Sequence, residues 1–183
     1  LKRRALGDVL IAATFGPLLV GFGYAAQAGS LGGGALLASL PFALHAAAIL
    51  HANNVRDCEA DRAAGVRTLA GALGTAASTR LYELLVLAPF VAAGWRAATV
   101  SALDGLPLLA LPAAMRLLRR MRAEAGQLGG LVDLPKQTAK MQLRFAAGLV
   151  VGVLVPAPSL CWLAASLISS TLGWYFDRLR IPE

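Results

Sequence analysis

Residues 9–55 decide the class of fold: VLIAATFGPLLVGFGYAAQAGSLGGGALLASLPFALHAAAILHANNV. This stretch contains no Asp, Glu, Lys or Arg, and most of it is Ala, Leu, Val and Gly. A bilayer-spanning helix needs about 20 apolar residues, so the stretch is long enough for two. The glycine-rich part in its middle, Ala28–Gly34, predicts a tight connection between them. Small residues let membrane helices approach closely, and we therefore expect two packed transmembrane helices.

The whole chain has the same apolar character. Its 183 residues are 57% hydrophobic and 15% charged, with a mean hydropathy of +0.65. These values predict an all-α, multi-pass transmembrane helical bundle in a lipid bilayer. The formal net charge is +7, but Lys and Arg beside membrane spans explain such a charge without a nucleic-acid partner. Cys58 and Cys161 are too few for a disulfide framework.

Apolar segments predict helices along the chain, and Pro17 should kink the first. The last segment either spans the membrane or lies at its surface, where its Trp and Tyr residues are at home. The predicted segments are Asp8–Gln27, Ala35–Asn53, Ser78–Ala98, Thr99–Leu118, Ala139–Val155 and Ser159–Phe176.

The distribution of cations predicts the orientation in the membrane. Alternating crossings place nearly all Lys and Arg on the side that carries residues 51–74, whereas the opposite side receives only Arg96. By the positive-inside rule, we expect residues 51–74 on the cytoplasmic side; the sequence does not predict the organelle. The cations on this side are Lys2, Arg3, Arg4, Arg116, Arg119, Arg120, Arg122, Lys136, Lys140 and Arg144.

A dense group of charges follows the uncharged stretch, in HANNVRDCEADRAAGVRTLAGALG at residues 51–74. Asp57 and Asp61 are four residues apart, a spacing that places them on one face of a helix about 5–6 Å apart. Asn53 lies one turn earlier on that face, and Asn54 lies beside it. A hard cation such as Mg²⁺ would relieve the repulsion between the two carboxylates, since it takes few carboxylates and keeps phosphate or water oxygens as other ligands.

Arginines in the same group add fixed positive charge, which together with a metal suits a diphosphate. They are Arg56, Arg62 and Arg67. The alternative is a solvated loop in which the charges only pair with one another. Two histidines precede the group. His45 is expected to pack in the bundle or line a cavity, and His51 either packs or lines an acceptor pocket.

Four stretches resemble one protein family. The run N-N-x-R-D-x-E-x-D-x-x-A-G-x-x-T-L-A, from Asn53 to Ala70, is similar to the second aspartate-rich motif of the UbiA family of intramembrane prenyltransferases. Ala5–Asp8 followed by Phe15-Gly16-Pro17 resembles the fifth helix of its menaquinone-synthesising branch. Leu134–Lys140 resembles the approach to the family's last helix. Ile49-Leu50-His51 is more similar to the eukaryotic menaquinone-4 synthases than to bacterial enzymes.

The resemblance implies a bundle of membrane helices around a cavity open to lipid. It also implies that two aspartate-rich motifs bind Mg²⁺ and the diphosphate of an isoprenoid donor. Departure of the diphosphate leaves an allylic cation, which an aromatic acceptor carbon attacks. The implied acceptor is a quinone precursor, a naphthoquinol or dihydroxynaphthoate, and the implied pathway is menaquinone or vitamin K biosynthesis.

Site residues carry over only where the motif matches. Asp57 and Asp61 are implied to hold Mg²⁺ and to be catalytic. Asn53 and Asn54 are implied to orient the metal or the diphosphate. Diphosphate contacts are implied for Arg62 and Lys2, whereas Arg56 either joins them or braces the loop.

The resemblance covers the chain up to about Pro158 and implies the C-terminal part of a UbiA-like domain at residues 1–158. That part holds five family helices, starting from the fifth, and residues 159–183 add an apolar segment and a basic tail without a family counterpart. The family's first motif, N-D-x-x-D, does not occur in the chain. The chain by itself is therefore expected to be incomplete and inactive. The alternative is a truncated, non-catalytic membrane protein that binds a prenyl diphosphate or a protein partner.

Overall fold

The computed structural model describes residues 6–127 and 129–155, which form a bundle of helices with no β-strand among them. The α-helices are α1 (Gly7–Ala13), α2 (Leu19–Ala28), α3 (Gly33–Arg56), α4 (Cys58–Ala63), α5 (Leu69–Thr99), α6 (Leu111–Glu124) and α7 (Leu134–Leu154). A π-helical turn, Thr14–Leu18, joins α1 to α2, and a 3₁₀ segment, Ala102–Ala110, precedes α6. The predicted all-α class is confirmed. The predicted segment Ser159–Phe176 lies outside the described residues.

Three described helical stretches are long and apolar enough to cross a membrane. They are Gly7–Ala28, Gly33–Arg56 and Leu69–Thr99, with mean hydropathies of 1.8, 1.7 and 1.3. At most a third of each apolar window is buried inside the bundle formed by the described residues. The two other predicted spans within the described residues fall short by this measure, because α6 has only 14 residues and α7 carries several cations in its first half.

Pro17 shapes the first membrane helix, as predicted. Proline lacks the N–H that a regular helix needs, and its ring crowds the carbonyl four residues back. The chain accommodates it by widening into the π-helical turn around it and continuing as α2. Gly16, in the same turn, lies so close to Ala43 of α3 that a methyl group there would collide with the alanine. This close approach joins the first helix to α3 and brings its N-terminal end beside residues 51–54.

The helix α5 begins nine residues before the predicted start at Ser78. Thr68 caps it by accepting the backbone N–H of Gly71 at 3.1 Å. Gly74 then interrupts the regular backbone with φ 75° and ψ 170°, a conformation that glycine adopts readily. The first turns of α5 therefore meet the rest of the helix at a kink, so the helix does not run straight from Leu69 to Thr99.

The predicted fourth helix, Thr99–Leu118, is wrong in its first half. The chain leaves the helix after Thr99 and turns through the 3₁₀ segment before α6 starts at Leu111. Pro107 lies within the 3₁₀ segment and cannot donate a backbone hydrogen bond. The backbone of this segment packs directly on α7, where Gly148 and Gly152 leave room for it. This contact closes the end of the bundle opposite to the motif.

The core consists of alanines on α3 packed against larger side chains of the other helices. Ala48 and Ala52 are fully buried on α3, facing a cluster that includes Val86, Phe90 and Phe145. Tyr82 of α5 and Thr138 of α7 add a buried hydrogen bond of 2.7 Å between their hydroxyl groups. The close packing fixes α3 against α5, and the end of α3 carries the candidate site.

Candidate active site

The dense group of charges within residues 51–74, from here on the charged motif, lies where α3 ends. Asp57 has φ −92° and ψ 6°, which stops α3 at Arg56 and starts the short helix α4. The expected single helical face carrying Asp57 and Asp61 is therefore interrupted. The backbone N–H of Asp61 still donates to the carbonyl oxygen of Asp57 at 2.8 Å, so the two residues remain one turn apart across the junction.

The carboxylate of Asp57 is held by its neighbour. Arg56 Nε donates to Oδ1 and Nη2 donates to Oδ2, each at 2.7 Å, in a bidentate pair. This guanidinium hydrogen bond lowers the pKa of Asp57 below its ordinary value. The Asp57 side chain remains 44% exposed. Asp57 is thus kept ionised and accessible, while Arg56 braces the loop, one of the two roles expected for it.

A cavity of about 460 Å³ opens beside this junction. Its charged wall consists of the side chains of Arg56, Asp57, Glu59 and Arg62. The opposite walls come from the start of α5 and from the glycine-rich turn between α6 and α7. The remaining lining residues are Val55, Cys58, Ala60, Ala70, Thr75, Ser78, Gly126, Gln127, Gly129, Gly130 and Leu131. A cavity with both carboxylates and guanidinium groups can bind a metal together with an anion.

Three other predicted site residues lie next to this cavity and do not line it. Asn53 and Asn54 are half-buried on the last turn of α3, and Asp61 is half-buried on α4. Asn53 Nδ2 donates to the carbonyl oxygen of Ile49 at 3.2 Å. Asn54 Nδ2 donates to the carboxylate of Asp8 at 2.8 Å. The predicted diphosphate contact Lys2 lies outside the described residues.

Both histidines are buried. His45 packs edge-on against Phe145 with ring centroids 4.8 Å apart, as expected for a core residue. His51 is fully buried, contacts Asp8 and the carbonyl oxygen of Ser78, and does not line the cavity beside the junction. Sequence reasoning gave no role to Asp8. Its position as the last charge before the uncharged stretch was the signal that could have identified it.

The residues present fit a magnesium ion that is shared with a diphosphate. No group of three or more His, Cys, Asp or Glu side chains that could hold a metal occurs among residues 6–127 and 129–155. Mg²⁺ does not need such a group, because it binds proteins through one or two carboxylates and takes phosphate and water oxygens for the rest. The donors beside the junction are carboxylate and amide oxygens, the ligand type that this hard cation prefers.

A model of the UbiA prenyltransferase family matches residues 1–127. The chain belongs to the UbiA prenyltransferase family. The match spans the first helix, α3 and the whole charged motif, so the charged wall of the cavity and the asparagine pair lie within the family region, whereas Gly129, Gly130 and Leu131 of the cavity lie beyond it. A helical membrane protein follows from this membership, and prenyl transfer is the activity after which the family is named.

Curated relatives agree with the family match. Over 160 residues the chain is 44% identical to UbiA prenyltransferase domain-containing protein 1 of Mus musculus, and this covers 87% of the chain and 46% of that protein. The Homo sapiens protein of the same name is 43% identical over the same coverage. The Drosophila melanogaster homolog is 41% identical over 150 residues, 82% of the chain and 41% of that protein. The chain therefore spans about half the length of the curated relatives it matches.

Proposed function

We propose that this chain supplies one aspartate-rich half of a Mg²⁺-dependent prenyltransferase site, which moves an isoprenyl group from a prenyl diphosphate to an aromatic acceptor. The observation that carries the proposal is the junction between α3 and α4. Within the family-matched region, Asp57, Arg56 and Arg62 line one cavity at the end of an apolar helix. A prenyl diphosphate has the matching structure, a dianionic or trianionic head on a long hydrocarbon chain.

The charged residues of the junction have separate roles in binding the diphosphate. Asp57 and Asp61 would hold Mg²⁺, with amide oxygen from the asparagine pair as a further ligand. When bound, Mg²⁺ neutralises charge that develops on the departing diphosphate. Arg62 lines the cavity and is free to contact phosphate oxygens, whereas Arg56 keeps the Asp57 carboxylate ionised and oriented.

The reaction breaks the C–O bond between the allylic carbon and the diphosphate, and the bonding electron pair leaves with the diphosphate. The aromatic carbon of the acceptor then forms a C–C bond to the allylic carbon, and the proton that this aromatic carbon carried passes to the released diphosphate or to water. The apolar surroundings of the bundle keep water from the allylic cation, which would otherwise be captured as an alcohol. Fixed guanidinium groups stabilise the leaving group and not the cation.

For the acceptor we propose a naphthoquinol or dihydroxynaphthoate, which would place the activity in menaquinone or vitamin K synthesis. The support is the similarity of Ala5–Asp8, Ile49–His51 and Leu134–Lys140 to that branch of the family. We also propose that the junction faces the cytoplasmic side. The support is the excess of Lys and Arg in the segments that lie on the same side of the membrane as the motif.

The test uses the full-length protein that contains this chain, purified into lipid nanodiscs with geranylgeranyl diphosphate and a naphthoquinol. The expected result is a prenylated naphthoquinol and free diphosphate, which EDTA abolishes and added Mg²⁺ restores. Diphosphate that binds with no product would favour the alternative, a membrane protein that only binds prenyl diphosphates. Product formation that is unaffected by EDTA would refute the proposed requirement for Mg²⁺.

A matched pair of arginine variants tests the cavity. Arg62→Ala removes a cavity cation, whereas Arg116→Ala removes an exposed cation on α6 that does not line the cavity. We expect the first to raise the KM for the prenyl diphosphate by about tenfold or more, the scale of a lost charge-assisted hydrogen bond, and the second to leave it unchanged. Equal effects would show that only the general positive charge of this surface matters.

A further inference from the structure

A buried polar network lies directly beneath the motif. Asp8, on the first turn of α1, is only 5% exposed, and both of its carboxylate oxygens have side-chain partners. Oδ2 lies 2.9 Å from His51 Nδ1, and Oδ1 accepts a hydrogen bond from Asn54 Nδ2 at 2.8 Å. The network joins α1 to two residues of α3 that are separated by one turn.

The second nitrogen of His51 determines where the hydrogens of this network lie. Nε2 is 3.1 Å from the carbonyl oxygen of Ser78, and a carbonyl oxygen only accepts, so Nε2 carries a hydrogen and donates it. One further proton must then lie between His51 Nδ1 and Asp8 Oδ2, because two bare acceptors would repel each other. Whichever of these two atoms carries that proton, Oδ1 of Asp8 remains a bare acceptor.

This assignment fixes the orientation of the Asn54 amide. A bare acceptor at Asp8 Oδ1 requires the NH₂ group of Asn54, so the amide carbonyl oxygen must face the other way. Asn54 is half-buried, and no donor among the described residues bonds to its carbonyl oxygen. Asn54 precedes Asp57 by three residues, the spacing that places side chains on one side of a helical turn.

We propose that Asp8, held by His51, is a positioning residue that orients Asn54 so that its carbonyl oxygen, and not its NH₂ group, faces the cation of the motif. The inference rests on the proposed function, since it concerns the same metal and diphosphate. Without the bare carboxylate oxygen at Asp8, the Asn54 amide can rotate and present its NH₂ group, which repels a cation.

A purely structural role for Asp8 predicts something different. In that case Asp8 only fastens α1 to α3, and its removal destabilises the bundle without a specific effect on metal binding. Asp104 provides the matched control, because it is also a buried carboxylate, 6% exposed, and pairs with Arg96 at the opposite end of α5. Asp104→Ala removes a comparable buried interaction far from the motif.

The variants at Asp8 separate orientation from charge. In Asp8→Asn, the new amide can donate to His51 Nδ1 and still accept from Asn54, so the orientation of Asn54 is kept although the charge is lost. In Asp8→Ala, the acceptor is lost. In Asn54→Leu, the carbonyl oxygen itself is lost, and the double variant Asp8→Ala/Asn54→Leu tests whether Asp8 acts through Asn54.

The measurement is the binding of Mn²⁺ to the full-length protein in detergent, in the presence of inorganic pyrophosphate. The electron paramagnetic resonance signal of free Mn²⁺ reports how much of the ion remains unbound. Thermal unfolding of each variant establishes that it is folded. We expect Asp8→Ala to weaken Mn²⁺ binding by about 10- to 100-fold, the usual effect of losing a group that orients a metal ligand. Asp8→Asn and Asp104→Ala should bind Mn²⁺ like the wild type, and Asp8→Ala should have no further effect when Asn54→Leu is present.

The proposal is overturned if Asp8→Ala binds Mn²⁺ as tightly as the wild type. It is also overturned if Asp8→Asn loses as much Mn²⁺ affinity as Asp8→Ala does, or if the wild type binds no Mn²⁺. Should Asp8→Ala fail to fold, Asn54→Leu decides, because unchanged Mn²⁺ affinity in that variant excludes its carbonyl oxygen as a ligand. No prenyl transfer is needed for this readout. A protein that binds Mn²⁺ and pyrophosphate as described but transfers no prenyl group refutes the proposed function alone.

Discussion

Replacing Gly148 with alanine tests the packing that closes the bundle. A methyl group at this position of α7 would lie 2.7 Å from the backbone nitrogen of Pro107 and 2.9 Å from its Cα. These are backbone atoms of the 3₁₀ segment and cannot turn aside as a flexible side chain could. Gly94→Ala is the matched control, because Gly94 also lies inside a long helix and has nothing within 4 Å of the added methyl group.

The difference between the two variants gives the steric cost alone. Replacing a helical glycine with alanine favours the helix by about 1 kcal/mol at either position. Overpacking at Gly148 opposes this gain by about 1–3 kcal/mol. The free energy of unfolding of Gly148→Ala should therefore lie about 1–3 kcal/mol below that of Gly94→Ala. At about 2–4 °C per kcal/mol for a chain of this size, the difference in Tm is roughly 2–12 °C.

The assay is thermal unfolding of both variants in the same detergent, followed by helical circular dichroism on the full-length protein. Gly94→Ala should unfold at or slightly above the wild-type temperature, and Gly148→Ala below Gly94→Ala and at or below the wild type. Equal unfolding temperatures for the two variants would refute the reasoning, because they would show that α7 and the 3₁₀ segment are not in backbone contact.

Three further changes test individual hydrogen bonds, each by the same unfolding assay. Thr68→Ala removes the side-chain oxygen that caps α5 and should lower the free energy of unfolding by about 0.5–2 kcal/mol, whereas Thr68→Ser should not. Tyr82→Phe removes the buried bond to Thr138 and should cost about 0.5–1.5 kcal/mol. Arg96→Met leaves the carboxylate of Asp104 buried without its partner and should cost about 1–3 kcal/mol, and adding Asp104→Asn should recover most of the loss.

Hydropathy correctly predicted the membrane helices that lie in uninterrupted apolar sequence. The first helix and α3 follow from residues 9–55, which contain no charge to interrupt them. The start of α5 did not follow, because residues 69–77 contain two glycines, and neither the Thr68 cap nor the bend at Gly74 is a hydropathy signal. The break after Thr99 was also missed, since the segment that follows it packs on Gly148 and Gly152 of α7, which lie more than forty residues later in the sequence.

Spacing predicted part of the candidate site. It identified Asp57 and Asp61 as one turn apart, and the backbone bond between them agrees. It could not show that α3 ends at Arg56, or that Arg56 itself holds the Asp57 carboxylate. The pairing of Asp8 with His51 joins residues 43 positions apart, and only the packing of α1 on α3 brings them together. The spacing of residues in the sequence predicts only which side chains share one helix face. It does not predict which distant helices pack together, and the contact between Asp8 and His51 depends on that packing.

The most direct test of the account is the rate of prenyl transfer by Asp57→Asn in full-length protein, compared with Asp133→Asn, across a range of Mg²⁺ concentrations. Asp133 is an exposed carboxylate at the start of α7 and does not line the cavity, so its variant controls for lost surface charge. We predict that Asp57→Asn loses about 100-fold or more in rate at every Mg²⁺ concentration, with an unchanged unfolding temperature, and that Asp133→Asn retains the wild-type rate. A wild-type rate and Mg²⁺ dependence in Asp57→Asn would contradict the central claim that this carboxylate belongs to the metal and diphosphate site.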